Sequence, residues 1–304
     1  MIIIRAERLG LCFGVRDAIE LAMQQAATEP LTVLGDLVHN ETVLAELRSR
    51  GVRIAQQVVA VETPTVMITA HGASHKAIGR ARDRGLSVME ATCPLVRLAH
   101  HAVVKLARGG YHPVIVGKRD HVEVRGLTED LDAFDVVLSE ADVLELSERA
   151  RFGVAAQTTQ PIDKVRALVE LIRRRFPSSE VRFIDTVCRP TKQRQHSAIE
   201  LAQQADVVVV IGGAHSNNTQ ELVKTCSQFC GRVHHVQSAN DLCEEWFHGA
   251  QTVGVTAGTS TPDASIHEND GDFRHPESQL PGFKMHLDLK RIPVGMDPIE
   301  IDGL

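Results

Sequence analysis

The sequence predicts an α/β protein with mainly parallel sheets, on three observations. Short β-branched runs recur along the chain, stretches with helical apolar spacing separate them, and aromatics make up only 4% of the 304 residues. A core poor in aromatics must be built from Val, Leu, Ile and Ala, which suits strands covered by helices on both faces. A first strand is expected at residues 1–5, where Ile2, Ile3 and Ile4 follow Met1. Further strands are expected at 31–34, 65–69, 113–116, 181–184, 207–211 and 252–256. Helices are expected between them at 15–26, 43–50, 76–84, 95–108, 164–176 and 194–204. Several of these end at a glycine suited to a C-terminal cap, as at Gly51, Gly85 and Gly109-Gly110. From Ala264 onward Pro, Gly, Asp, Glu and His dominate, so 264–304 reads as an irregular tail.

Composition excludes several classes of function. With 33 Lys+Arg against 39 Asp+Glu the net charge is −6, and the pI near 6.2 gives no broad cationic surface for nucleic acid or anionic lipid. No apolar run approaches the ~18 residues that span a bilayer, and no basic leader precedes the first strand. The expectation is a cytoplasmic protein with no membrane or nucleic-acid partner, in which local donors hold any anionic ligand.

Six cysteines in such a chain do not imply a disulfide framework. Cys12, Cys93 and Cys188 each end an extended segment and precede a helical one, 81 and 95 residues apart. That near-equal spacing points to three similar α/β units, each giving one thiol to a shared centre, and helix N-termini there favour the thiolate. The units are 12–93, 94–184, and 185–263 together with 1–11. Three convergent thiolates suit zinc or an iron–sulfur cluster, and inert packed thiols are the alternative. Zinc is the poorer fit, because none of the three has a closely spaced cysteine partner. On a four-iron cluster, three thiolates leave one iron without a protein ligand and available as a Lewis acid. Cys226 and Cys230, four apart on an expected helix, and Cys243 lie away from such junctions and read as packing residues.

Polar residues also gather at strand ends. His39, His71 and His121 follow three expected strands, at the edge where parallel α/β sheets bind ligands. His100-His101 and His234-His235 do not, and read as structural or solvated. Gly212-Gly213-Ala214-His215-Ser216-Asn217-Asn218-Thr219 and Thr256-Ala257-Gly258-Thr259-Ser260-Thr261 follow two more strands. Glycine admits close backbone approach, and the hydroxyls, amides and helix N-termini there suit phosphate oxygens. Neither segment is a Walker loop or a G-x-G-x-x-G turn. Glu123 lies two residues after His121, and Gln157-Thr158-Thr159 closes another extended stretch; either is placed to relay a proton.

The ordered set Cys12-Phe13-Gly14-Val15, Val38-His39-Asn40, Ala70-His71-Gly72, Ala91-Thr92-Cys93-Pro94, His121-Val122-Glu123, Gln157-Thr158-Thr159, Cys188, Ser216-Asn217-Asn218 and Gly254-Val255-Thr256-Ala257-Gly258 resembles the 4-hydroxy-3-methylbut-2-enyl diphosphate reductase (IspH/LytB) family over about residues 10–263. The resemblance implies three similar α/β lobes around a central [4Fe-4S] cluster, held by Cys12, Cys93 and Cys188 with one iron not ligated by protein. It implies reductive removal of the substrate's allylic hydroxyl, giving isopentenyl and dimethylallyl diphosphate, in the last step of the non-mevalonate isoprenoid pathway. By position, His39, His71, Ser216, Asn218 and Ser260 would hold the diphosphate, with Asn217 where the family often has serine. His121 and Thr158 would face the substrate, Glu123 would donate the proton with Thr158, and ferredoxin or flavodoxin would supply electrons.

The sequence departs from the family at Asp120-His121-Val122-Glu123, where the family reads G-H-P-E, at the order Arg16-Asp17, and after Pro262-Asp263, where a C-terminal helix is expected. Two other readings keep the three-cysteine cluster. One is a diverged redox or oxygen sensor, and the other is a hydro-lyase acting on a hydroxy acid.

Overall fold

The computed structural model describes residues 1–266, and these form three four-stranded sheets in which every strand pair is parallel. The chain opens with β1 (Ile2–Arg5) and α1 (Phe13–Ala26), then builds a first lobe from β2 (Leu31–Leu34), α2 (Glu41–Ser49), β3 (Arg53–Ala55), β4 (Thr65–Ile68), α3 (His75–Asp83) and β5 (Ser87–Glu90). The second lobe contains α4 (Pro94–Arg108), β6 (His112–Val116), α5 (Val122–Thr128), β7 (Asp135–Val137), α6 (Glu140–Glu145), β8 (Arg151–Ala156), α7 (Ile162–Arg175) and β9 (Glu180–Phe183). The third contains α8 (Arg189–Ala202), β10 (Val207–Ile211), α9 (Asn217–Cys226), β11 (Val233–Val236) and β12 (Thr252–Ala257).

The sheet orders are β3-β2-β4-β5, β7-β6-β8-β9 and β11-β10-β12-β1. In each, the second strand of the lobe lies outside the first, and the third and fourth follow on the other side. The third lobe obtains its fourth strand from the N-terminus, since β1 pairs with β12 in the register Ile2↔Thr252 to Arg5↔Val255. The three lobes are thus one topology used three times, with the third closed by the start of the chain.

Helices cover both faces of the central strands, so Val207–Ile211 are all 0% exposed although the run is apolar throughout. Separate apolar clusters form on the two faces of a sheet. Val207, Val209 and Ile211 face one cluster and Val208 and Val210 the other, as a period of two requires.

The lobes are fastened to one another. The Asp130 carboxylate, beyond α5, accepts from the free N–H groups of His75 at 2.6 Å and Lys76 at 3.0 Å at the start of α3. Ser74 and Arg80 bond the neighbouring Glu129 carboxylate. Gly213, after β10, lies against the His39 backbone, where an added Cβ would stand 2.0 Å from its carbonyl oxygen.

Residues 263–266 form a helical turn, and Ile266 packs with Ile3 and Phe247 in the third lobe. The expectation of an irregular segment from 264 therefore fails for 264–266, because a buried isoleucine anchors them. Its remainder, 267–304, lies outside the described residues, as does whatever follows this turn where a C-terminal helix is expected. No helix among the described residues is long and apolar enough to cross a membrane.

Candidate active site

The repeated topology puts chemistry at repeated places. After the fourth strand of each sheet the chain reaches a cysteine that occupies the N-cap position of the next helix: Cys12 for α1, Cys93 for α4 and Cys188 for α8. Each backbone N–H donates to a carbonyl just beyond the third strand of the same sheet. Cys93 bonds Ala70 at 3.1 Å, Cys188 bonds Thr158 at 3.0 Å and Cys12 bonds Thr259 at 3.2 Å. These bonds extend the parallel ladder past the strand ends and stitch every cysteine to a segment that carries polar site residues.

All three thiols are free and partly buried. Cys12 acts electrostatically on both Cys93 and Cys188, and Glu123 does so too. A Cβ added at Gly14 would meet the Cys93 sulfur at 2.5 Å, so the first turn of α1 rests on the second cysteine. Burial pushes the Cys188 thiol up to about 11 and raises Cys93, while hydrogen bonds from Thr191 to the first, and from Leu95 and Val96 to the second, act in the opposite direction. Sequence reasoning expects the helix ends to favour the thiolate; their N–H groups do so, but desolvation is larger. A metal centre bound here would have to displace those protons.

After the first or third strand come the histidines. His39, His71 and His121 form a nearly equilateral triangle, with ring centroids 5.1, 5.4 and 5.5 Å apart. One ligand atom from each lies within 4.8 Å of the others, a geometry able to hold a single metal ion. Among the described residues this set, and not the three thiols, has single-ion spacing. Loss of water lowers the proton affinity of all three, taking His121 to about 3; the neighbouring rings lower His71 further, and His39 lowers His121. The triad is neutral at neutral pH.

His121 caps α5, its Nδ1 accepting from the Glu123 N–H at 3.2 Å. That places Glu123 in the first turn, only 1% exposed. Thr158 grips it with its backbone N–H and its hydroxyl. Burial raises the carboxyl to about 7, outweighing the two hydrogen bonds from Thr158, which favour the charged form.

The third lobe adds neutral donors. Ser216 caps α9 by accepting from Thr219, and the Asn218 side-chain oxygen accepts from Thr259 at 2.9 Å. Asn217 reaches across to the Thr159 hydroxyl of the second lobe at 3.4 Å. Thr219 Oγ1 and Thr256 Oγ1 of this region are buried without a hydrogen-bond partner, as are three atoms of the expected diphosphate donors: His39 Nε2, Asn218 Nδ2 and Ser260 Oγ. Unpaired buried polar groups cost about 1–3 kcal/mol each, and all three can donate to anionic oxygen.

Of the remaining cysteines, Cys226 and Cys230 are buried among Ala198, Leu201 and Leu222, as packing predicts, although Cys230 lies beyond the end of α9. Cys243 is no core residue; it is partly exposed and its thiol bonds Glu245 at 2.6 Å. His234 stacks on Trp246 at 4.0 Å, and His235 bonds the Gly212 carbonyl. The sequence marks Gly213 as a point of close backbone approach to a ligand, whereas it packs on the His39 backbone, and it does not mark Arg194, a cation on the buried stripe Thr191, Arg194, Gln195, Ala198, Leu201 of α8. An arginine at helical spacing from Ala198 and Leu201 was the available signal.

The family model described as LytB protein matches residues 3–270. Curated relatives include the 4-hydroxy-3-methylbut-2-enyl diphosphate reductases of Trichlorobacter lovleyi, 39% identical over 88% of this chain and 96% of that protein, and of Pelobacter propionicus, 37% identical over the same shares. Among solved structures, the E-1-hydroxy-2-methyl-but-2-enyl-4-diphosphate reductase of Plasmodium falciparum superposes with a TM-score of 0.85 at 25% identity, covering 91% of this chain and 89% of its own. An (E)-4-hydroxy-3-methyl-but-2-enyl diphosphate reductase gives 0.64 at 34% identity, covering 90% and 99%.

Proposed function

The chain belongs to the LytB protein family, and from that membership and the donors of the site we infer that it reduces 4-hydroxy-3-methylbut-2-enyl diphosphate to isopentenyl and dimethylallyl diphosphate, the last step of the non-mevalonate isoprenoid pathway. The C–O bond of the allylic hydroxyl breaks, two electrons and two protons enter, one proton ends on carbon and the other leaves in water. The observation that carries this reading is a buried acid, Glu123, in the same site as unpaired donors suited to a diphosphate.

The diphosphate is held by His39, His71, Ser216, Asn218 and Ser260, with Asn217 beside them, while His121 and Thr158 face the substrate. Neutral donors suffice for an anion in a water-poor site, and they explain a phosphate ligand in a protein of net charge −6. The histidine triad meets single-ion geometry, and within it His39 Nε2 is buried without a partner, a donor to phosphate oxygen when that nitrogen carries the proton.

Cys12, Cys93 and Cys188 are the residues that fit a [4Fe-4S] cluster. They recur at equivalent helix starts, lack disulfide partners and influence one another electrostatically. Three thiolates leave one iron without a protein ligand. When bound, the cluster supplies the electrons and a Lewis acid at the departing hydroxyl.

Glu123 holds the proton. Its Oε1 is occupied by the Thr158 N–H, so in the protonated acid the proton sits on Oε2; the Thr158 hydroxyl, which donates to Oε2 when the carboxylate is charged, then turns to accept that proton and releases its own toward the substrate. A carboxyl near 7 is matched to donating at neutral pH. The electrons come from an external carrier, ferredoxin or flavodoxin, in the cytoplasm.

The test is anaerobic oxidation of reduced viologen by cluster-loaded protein with and without the substrate. Oxidation that requires the substrate supports the reading. A loaded cluster that turns nothing over overturns it and leaves the redox sensor as the better account.

A further inference from the structure

Arg194 is 7% exposed, yet among the described residues it has no carboxylate within salt-bridge distance. Its guanidinium spends its hydrogen bonds on backbone carbonyls. Nε and Nη2 donate to the Gly10 oxygen at 3.1 and 2.7 Å, and Nη1 donates to the Pro190 oxygen at 3.2 Å. Gly10 stands two residues before Cys12 and Pro190 two after Cys188. One rigid fork therefore ties the loop that delivers the first thiol to the turn that delivers the third.

A buried cation without an acid is costly unless some anion compensates it. The groups near Arg194 able to become anionic are the Cys12 and Cys188 sulfurs, which favour its charged state, while desolvation and Arg8 oppose it. As free thiols they are a poor counter-charge; as metal-bound thiolates they are a good one. The three carbonyl bonds solvate the Arg194 cation without neutralising it, and negative charge on these two sulfurs would supply the counter-charge.

We propose that Arg194 is the positioning residue of the cluster site, fixing the separation of Cys12 and Cys188 through the Gly10 and Pro190 carbonyls and placing a permanent cation beside the cluster that eases its reduction. The proposal rests on the assignment of Cys12, Cys93 and Cys188 as cluster ligands. The cation acts on the added electron, because a positive charge in a low-dielectric surrounding stabilises the more negative reduced state. The carbonyl bonds act separately, on retention of the iron.

The experiment compares anaerobically prepared wild type, Arg194→Lys and Arg194→Met by iron per chain and by a redox titration followed by electron paramagnetic resonance. Arg194→Met is expected to lose iron and to shift the one-electron reduction constant of the remaining cluster at least tenfold toward the oxidised form, 59 mV more negative. Arg194→Lys keeps the charge but not the fork, so it should hold the potential within threefold of wild type while still losing part of the iron. An Arg194→Met cluster with wild-type potential overturns the proposal, as does a Lys variant whose constant shifts tenfold or more. Should Arg194→Met fail to fold, the Lys variant decides alone by the same limits. Wild-type iron content in Cys93→Ser would overturn the ligand assignment as well, and only that result reaches beyond Arg194.

Discussion

Thr158 holds Glu123 from two directions, its backbone N–H donating to Oε1 at 2.7 Å and its hydroxyl to Oε2 at 3.1 Å. The same residue's carbonyl accepts from the Cys188 N–H at 3.0 Å. The acid and the third thiol are therefore positioned by one residue, through the two successive peptide units that flank it, and a shift of the segment after β8 would move both.

The raised Glu123 carboxyl, near 7, has two pH signatures. As general acid its protonated form is lost above that value, so kcat should fall with rising pH through about 7; a flat profile from pH 6 to 9 would remove it from this role. Glu123→Gln should leave iron content intact and cost about a hundredfold or more in rate. Stability runs with the opposite consequence for the variant. Between the ordinary carboxyl value of 4.5 and about 7, the folded chain keeps a proton that the unfolded chain has released, so wild-type stability declines with rising pH across this window and levels off above it. Glutamine escapes this penalty, and its stability advantage should grow from pH 5 to pH 8 by up to about 3 kcal/mol, read by thermal unfolding.

Gly14 tests the convergence of the cysteines without replacing any of them. Alanine there would bring Cβ to 2.5 Å from the Cys93 sulfur. The glycine lies in the first turn of α1, where alanine otherwise favours the helix. Gly14→Ala should therefore lower iron per chain and cost about 1–3 kcal/mol from overpacking. Full iron content in this variant would show that Cys93 can retreat without consequence for the centre.

The elements that carry the site were legible because their signals are local. A β-branched run followed by glycine, histidine or cysteine marks both a central strand and the start of a helix, and β2 and β10 emerge with the residues expected. The edge strands β3, β7 and β11 escaped, because segments of three or four residues such as Arg53–Ala55 or Val233–Val236 carry neither alternation nor an apolar run. Their place is decided by the neighbour that pairs with them. The cysteine and histidine positions were visible as junction residues, but the thiol protonation was not. A helix start can be read from sequence, whereas the desolvation that outweighs it at Cys188 depends on three lobes meeting. The contacts of Asp130 with α3 and of Gly213 with His39 were invisible for the same reason, since each reaches a residue more than fifty positions away.

Gly213 offers the sharpest test of how the lobes meet. It follows β10, adjoins the His39 carbonyl and lies three residues before Ser216. The obstacle to a side chain is backbone, which no rotamer change can clear, so Gly213→Ala must displace either the third lobe or the His39 segment. Both carry residues proposed above as diphosphate donors. We expect weaker substrate affinity, tenfold or more by calorimetry on the loaded protein, with stability lowered by about 1–3 kcal/mol. Gly79→Ala is the matched control: it lies within α3, nothing stands within 4 Å of the added Cβ, and helix propensity should raise stability by about 1 kcal/mol with affinity unchanged. If Gly213→Ala bound substrate as wild type does, the contact between the first and third lobes would be dispensable for binding, and the diphosphate donors would have to be brought together by the substrate itself.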